Sequence, residues 1–222
     1  MTRRYFPKTK EELIEIIKVE VERKGWNCSL NHIDVSKITD MSNLFSINPY
    51  KGYKLEEFNG DISRWDVSNV TTMEGMFVGA KLFNQPIGDW DVSNVTDMSC
   101  MFWGTEKFDQ PIGDWDVSNV TDMSCMFHSA KSFNQPIGDW DVSNVTDMRF
   151  MFHLAKSFNQ PIGDWDVSNL TNTDEMFCGA KSFKQDLSKW KLKTNCRTYK
   201  MFNSTCPIKK VFKPKGIKVK GY

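Results

Sequence analysis

A 25-residue unit recurs along this chain with its phase intact. The segment from Phe83 to Phe102 returns nearly verbatim at 108–127, 133–152 and 158–177. A fixed period of this length marks a solenoid, in which each unit buries its apolar face only against its neighbours. Such architectures mostly bind, and the period alone disfavours a catalytic pocket.

Single columns give the register. Trp65, Trp90, Trp115, Trp140, Trp165 and Trp190 occupy one; Phe77, Phe102, Phe127, Phe152, Phe177 and Phe202 occupy a second, each preceded by Met; Phe58, Phe83, Phe108, Phe133, Phe158 and Phe183 form a third. These are structural columns, and they predict an aromatic, thioether-rich core. Six units are clear, and a degenerate one precedes them, with Ile33 in the tryptophan slot and Phe45 lying 32 residues before Phe77. The extra residues are expected as a surface loop near 46–57.

The organisation follows. Residues 1–26 are expected to form an N-terminal capping helix, 27–206 the repeat stack with its degenerate first coil at 27–58, and 207–222 a basic C-terminal tail. Thr9 with Glu12 has capping-box spacing, Leu13, Ile16, Ile17 and Val21 recur at helical intervals, and Gly25 offers a stop. Such a helix would cover the apolar end that a stack otherwise exposes.

Within a unit, Pro86 to Trp90 reads as a brief extended segment and Asp91 to Asn94 as a polar corner. Thr96 then reads as a helix cap, with Met98, Met101 and Phe102 at i, i+3, i+4 on one face and Gly104 as the stop. The fold class expected is an α/β repeat solenoid, each of about seven coils a short strand plus a short helix. Strands pair more closely than helices pack, so the stack should form a right-handed arc.

The string Trp90-Asp-Val-Ser-Asn-Val-Thr-Asp-Met-Ser-Cys-Met-Phe102, with Ala130-Lys-Ser-Phe-Asn-Gln135 after it in a sister unit, resembles the repeat of BspA-like leucine-rich-repeat surface proteins. That family is abundant among mycoplasma lipoproteins, and the likeness covers about residues 27–205. It implies a leucine-rich-repeat-like fold, surface display and adhesion to a host or bacterial macromolecule, with no catalytic residues to carry over. No apolar stretch of export-signal type follows Met1, and no run approaches the length of a membrane span. A cell-surface or secreted location is therefore expected from the resemblance alone, with the cytoplasm as the alternative.

Function should sit where columns vary. Gly75, Cys100, Cys125, Phe150 and Glu175 form one variable column; Val78, Trp103, His128, His153 and Cys178 form another, three residues on. With Leu154 they give a candidate interaction stripe of Cys100, Trp103, Cys125, His128, Phe150, His153, Leu154 and Cys178, suited to a protein partner or self-association. If Trp103 and Phe150 are both covered, the patch disappears.

Other chemistry is weighed against architecture. Metal binding is not expected at Cys100, Cys125, His128 and His153, because their spacing is that of the repeat and helical neighbours would stand too far apart. The same distance argues against a Cys100–Cys125 disulfide, and Cys196 with Cys206 is the favoured pair if the protein is secreted. Asn69, Asn94, Asn119, Asn144 and Asn169 form sequons, but an Asn column suits a hydrogen-bonded ladder. Asp91, Asp116, Asp141 and Asp166 are expected to accept backbone N–H groups while Asp89, Asp114, Asp139 and Asp164 face water, so calcium is not invoked. No cofactor is expected, and a net charge of +1 suggests no nucleic-acid partner. An intracellular scaffold and a polysaccharide binder remain alternatives, the latter requiring exposed tryptophans.

Overall fold

The computed structural model describes residues 4–46 and 55–215. The inserted loop lies mostly outside these residues, as does the tail beyond 215.

α1 spans Lys10–Lys24. Thr9 Oγ1 accepts the Glu12 N–H at 3.2 Å, and Glu12 Oε2 accepts the Lys8 N–H at 2.7 Å, so the box closes one residue earlier than the spacing suggests. Gly25, at φ 82°, ends the helix with its N–H on Val21 O. Leu13, Ile17 and Val21 are buried, and so is Glu20. The preceding segment ties this element to the first coil through a parallel bridge between Tyr5 and Ile33.

Beyond α1 the described repeats contain no α-helix. The backbone instead forms a ladder between successive units, with parallel bridges at Asp40, Thr72, Asp97, Asp122, Asp147, Asn172 and Arg197. In one unit, Met98, Cys100, Phe102 and Gly104 donate to Asp122 O, Ser124 O, Met126 O and His128 O of the next, at 2.8–3.1 Å. The residues between close tight turns on their own unit, as in Met101 N–H to Met98 O at 3.2 Å and Trp103 N–H to Cys100 O at 3.0 Å.

The turns need a left-handed residue at two positions. Asn43, Gly75, Cys100, Cys125, Phe150, Glu175 and Lys200 hold the first at φ 46–59°, and Gly79, Gly104, Ser129, Leu154 and Gly179 hold the second at φ 57–78°. A right-handed helix cannot pass through either. The helix expected after Thr96 is thus replaced by these turns, and Thr96 is not a cap: its N–H and Oγ1 both donate to Thr71 O, at 2.9 and 3.2 Å. The expected extended segment at Pro86–Trp90 is itself a turn, closed by Trp90 N–H on Ile87 O. Curvature argued from strands on one side and helices on the other therefore loses its premise.

Packing is close at the opposite corner too. A Cβ on Gly88 would meet Pro111 O at 2.5 Å, and one on Gly113 would meet Pro136 O at 2.6 Å. Only glycine admits that approach of one coil to the next.

The core is aromatic, as the columns predict. The phenylalanine rings at 77, 102, 127, 152 and 177 stack at 5.6–5.7 Å, nearly parallel, and interleave with the 83–183 column at about 4 Å. The column tryptophans are only 2–4% exposed. Each Nε1 from Trp90 onward donates to the isoleucine carbonyl 28 residues earlier, so burial leaves no polar atom unpaired. The degenerate coil keeps the expected 32-residue offset, with Phe45 N–H on Met76 O at 2.8 Å and the Phe45 ring 5.6 Å from Phe77.

The polar columns are structural. Asn94, Asn119, Asn144 and Asn169 donate from Nδ2 to a serine carbonyl of the preceding unit at 2.7–2.8 Å. Asp91, Asp116, Asp141 and Asp166 each accept the N–H two residues on, at 3.0–3.1 Å, while Asp89, Asp114, Asp139 and Asp164 are exposed.

Candidate interaction stripe

The left-handed turn presents two side chains per coil, three residues apart, on the edge away from the phenylalanine stack. Because adjacent coils are joined by backbone hydrogen bonds, these side chains lie at sheet-like spacing, about 4.8 Å. The distance expected for side-by-side helices does not apply.

Most of the stripe comes together as rings and thiols. The Trp103 ring lies tilted against His128 at 4.9 Å and His128 tilted against His153 at 4.7 Å, while Phe150 stacks on His153 at 5.5 Å. Trp103 is 41% exposed and Phe150 half-buried, so the patch persists. Leu154 is 38% exposed and sits where the sister units place Gly79, Gly104, Ser129 or Gly179. A branched side chain at φ 57° costs about 1–2 kcal/mol in local backbone energy. It covers Gly179, where any Cβ would meet the Leu154 side chain at 2.5 Å.

Cys100 and Cys125 occupy the same turn position on adjacent coils, and each N–H is fixed at 2.8 Å on the following coil. The neighbouring Cys100 thiol holds the Cys125 thiol below the usual thiol range, with His128 adding to the effect. Cys125 in turn, together with burial, pushes the Cys100 thiol up. Burial, and then His128, push the His153 imidazole down; burial, and then Glu175, push the Cys178 thiol up.

Glu175 is the residue that the stripe omitted. It lies in the same variable column as Cys100, and its carboxylate, His153 and Cys178 bring one ligand atom each within 4.8 Å of one another. Cys196 and Cys206 are free thiols, their sulfurs against Arg197 O at 3.6 Å and Phe183 O at 3.7 Å.

A second polar centre escaped the sequence reading. Glu20, fully buried on the inner face of α1, accepts hydrogen bonds from Tyr5 Oη at 2.9 Å, Arg23 Nη2 at 2.9 Å and Lys24 Nζ at 2.5 Å, with His32 Nε2 at 3.2 Å. Burial alone would raise its pKa; Lys24, Tyr5 and Arg23 overcome that and hold it at about 2. The i, i+3 and i, i+4 spacing of Arg23 and Lys24 was the available signal. Beside it, Arg4, Lys24, His32 and Arg64 line a cleft of about 680 Å³.

Two overlapping stretches, residues 17–123 and 107–213, match the family described as Mycoplasma protein of unknown function, DUF285. The chain belongs to that repeat family. Among curated proteins and solved structures, none matches it.

Proposed function

We propose that this chain is a non-catalytic interaction or adhesion module of the BspA-like surface-protein type, built as a leucine-rich-repeat-like solenoid. It binds a protein of a host or of another bacterium through the edge that carries Trp103, His128, Phe150, His153 and Leu154. The observation that supports this reading is Trp103: it is 41% exposed in a chain whose six column tryptophans are almost fully covered. Tryptophan is over-represented among residues that dominate interface energies, and here it lies beside half-buried rings that can exclude water around it. The polysaccharide alternative needed the column tryptophans as stacking platforms, and they are buried. No helix among the described residues is long and apolar enough to cross a membrane; display at the cell surface is part of the proposal.

Sister units supply substitutions that the turn accommodates. Trp103→Val installs the residue found at Val78, and Leu154→Gly the residue found at Gly179. Binding of the full chain to immobilised extracellular-matrix proteins and to intact host cells is expected to fall about 10–30-fold in the double variant, the loss of one anchoring tryptophan. Unchanged binding would place the contact on another face.

A further inference from the structure

We propose that His153, Glu175 and Cys178 form a binding site for a divalent cation of the zinc type. The three ligand atoms, one nitrogen, one oxygen and one sulfur, lie within 4.8 Å of one another. They come from two adjacent coils, and the backbone fixes both. His153 closes its turn through its N–H on Phe150 O at 3.0 Å, and Cys178 closes the equivalent turn on Glu175 O at 3.0 Å. The Glu175 N–H is held in turn by Tyr199 O at 2.8 Å. Three donors therefore stand on anchored backbone, with only side-chain torsions left to adjust.

The donor set selects the ion. Thiolate and imidazole suit zinc and its first-row neighbours, whereas magnesium and calcium take oxygen ligands. Metal–ligand bonds of about 2.0–2.3 Å put tetrahedral neighbours about 3.3–3.8 Å apart, so the site must close by about 1 Å. The flexible Glu175 side chain can supply most of that movement. The His153 Nδ1 is buried without a hydrogen-bond partner, so that nitrogen is not committed elsewhere in the fold. Three protein ligands leave the fourth position of a tetrahedron open, the arrangement of sites that bind an exchangeable water or an incoming group. The expectation of no metal rested on helical spacing between repeats, and hydrogen-bonded coils remove that obstacle. The site stands independently of the proposed adhesion function.

Reduced, metal-free full-length chain is titrated with zinc sulfate by calorimetry and, in parallel, with cobalt(II) chloride by absorption spectroscopy. One equivalent of zinc per chain is expected, together with a thiolate-to-cobalt charge-transfer band in the near ultraviolet. Each of Cys178→Val, His153→Val and Glu175→Gly installs a residue found in a sister unit at Val78 or Gly75, so folding is preserved, which circular dichroism verifies. Each should weaken zinc binding at least about tenfold, and Cys178→Val should abolish the cobalt band. Cys125→Gly should leave both signals intact. The proposal is overturned if zinc does not bind saturably, if binding survives Cys178→Val unchanged, or if Cys125→Gly removes it.

Discussion

Phe127→Ala is expected to cost about 3–5 kcal/mol, the range for deleting a fully buried aromatic ring. Phe127 is 0% exposed and stacks at 5.6 Å on Phe102, 5.7 Å on Phe152, 4.0 Å on Phe133 and 6.4 Å on Trp140, so its removal opens a cavity touching four rings in the two flanking coils. The units contact only their neighbours, and a defect in the middle of the array therefore weakens the coupling of both halves. At about 2–4 °C per kcal/mol for a chain of this size, the midpoint of thermal unfolding should fall by roughly 6–20 °C. Phe202→Ala is the internal comparison. That ring ends the column, is only half-buried and stacks on Phe177 alone among the column phenylalanines, so its loss should cost about 1–2 kcal/mol. Equal effects of the two substitutions would contradict a continuous core.

Glu20→Ala is expected to destabilise the chain by about 3 kcal/mol, at the low end for breaking a buried charge network. Arg23 and Lys24 keep 60% and 35% of their side chains in water and can rehydrate, whereas the Tyr5 hydroxyl loses the carboxylate that it donates to. The pH dependence has a definite sign. The folded pKa of about 2 lies below the ordinary 4.5, so the Glu20 contribution is fully present above about pH 4.5 and is lost as pH falls toward 2. Thermal unfolding of wild type and Glu20→Ala should differ most at pH 7 and converge near pH 2. A difference that persists unchanged at pH 2 would show that the carboxylate charge is not what holds α1 to the first coil.

The legible part of this fold was whatever repeats. The tryptophan and phenylalanine columns, the asparagine ladder and the 32-residue offset of the degenerate coil all follow from period and chemistry. The turn at 98–104 did not, because Met98, Met101 and Phe102 fit the i, i+3, i+4 pattern of a helix as well as they fit two consecutive turns facing one core. The discriminating signal lay in Asn43, Gly75 and Gly79, residue types that favour left-handed backbone, read at homologous positions. Once the turn is misread as a helix, neighbouring coils appear too far apart for thiol or metal chemistry. That one error hid both the Cys100–Cys125 contact and the cluster of His153, Glu175 and Cys178. Glu20 escaped for a different reason: a charged residue on an otherwise apolar face reads as exposed until its partners from Tyr5 and His32 arrive through the tertiary fold.

The central claim is that one 25-residue period builds one coil hydrogen-bonded to the next, so that equivalent turn residues lie at sheet-like spacing. Cys100 and Cys125 report on it directly, since a disulfide forms only between Cα atoms within about 7 Å. Mild oxidation of the monomeric chain with diamide, which takes up the two protons and two electrons released by the thiols, is followed by peptide mapping in a mass spectrometer. The expected result is an intramolecular link between Cys100 and Cys125. Recovery of both as free thiols, or of Cys100 joined instead to Cys178 or Cys206, would contradict the stacking of the coils in this register.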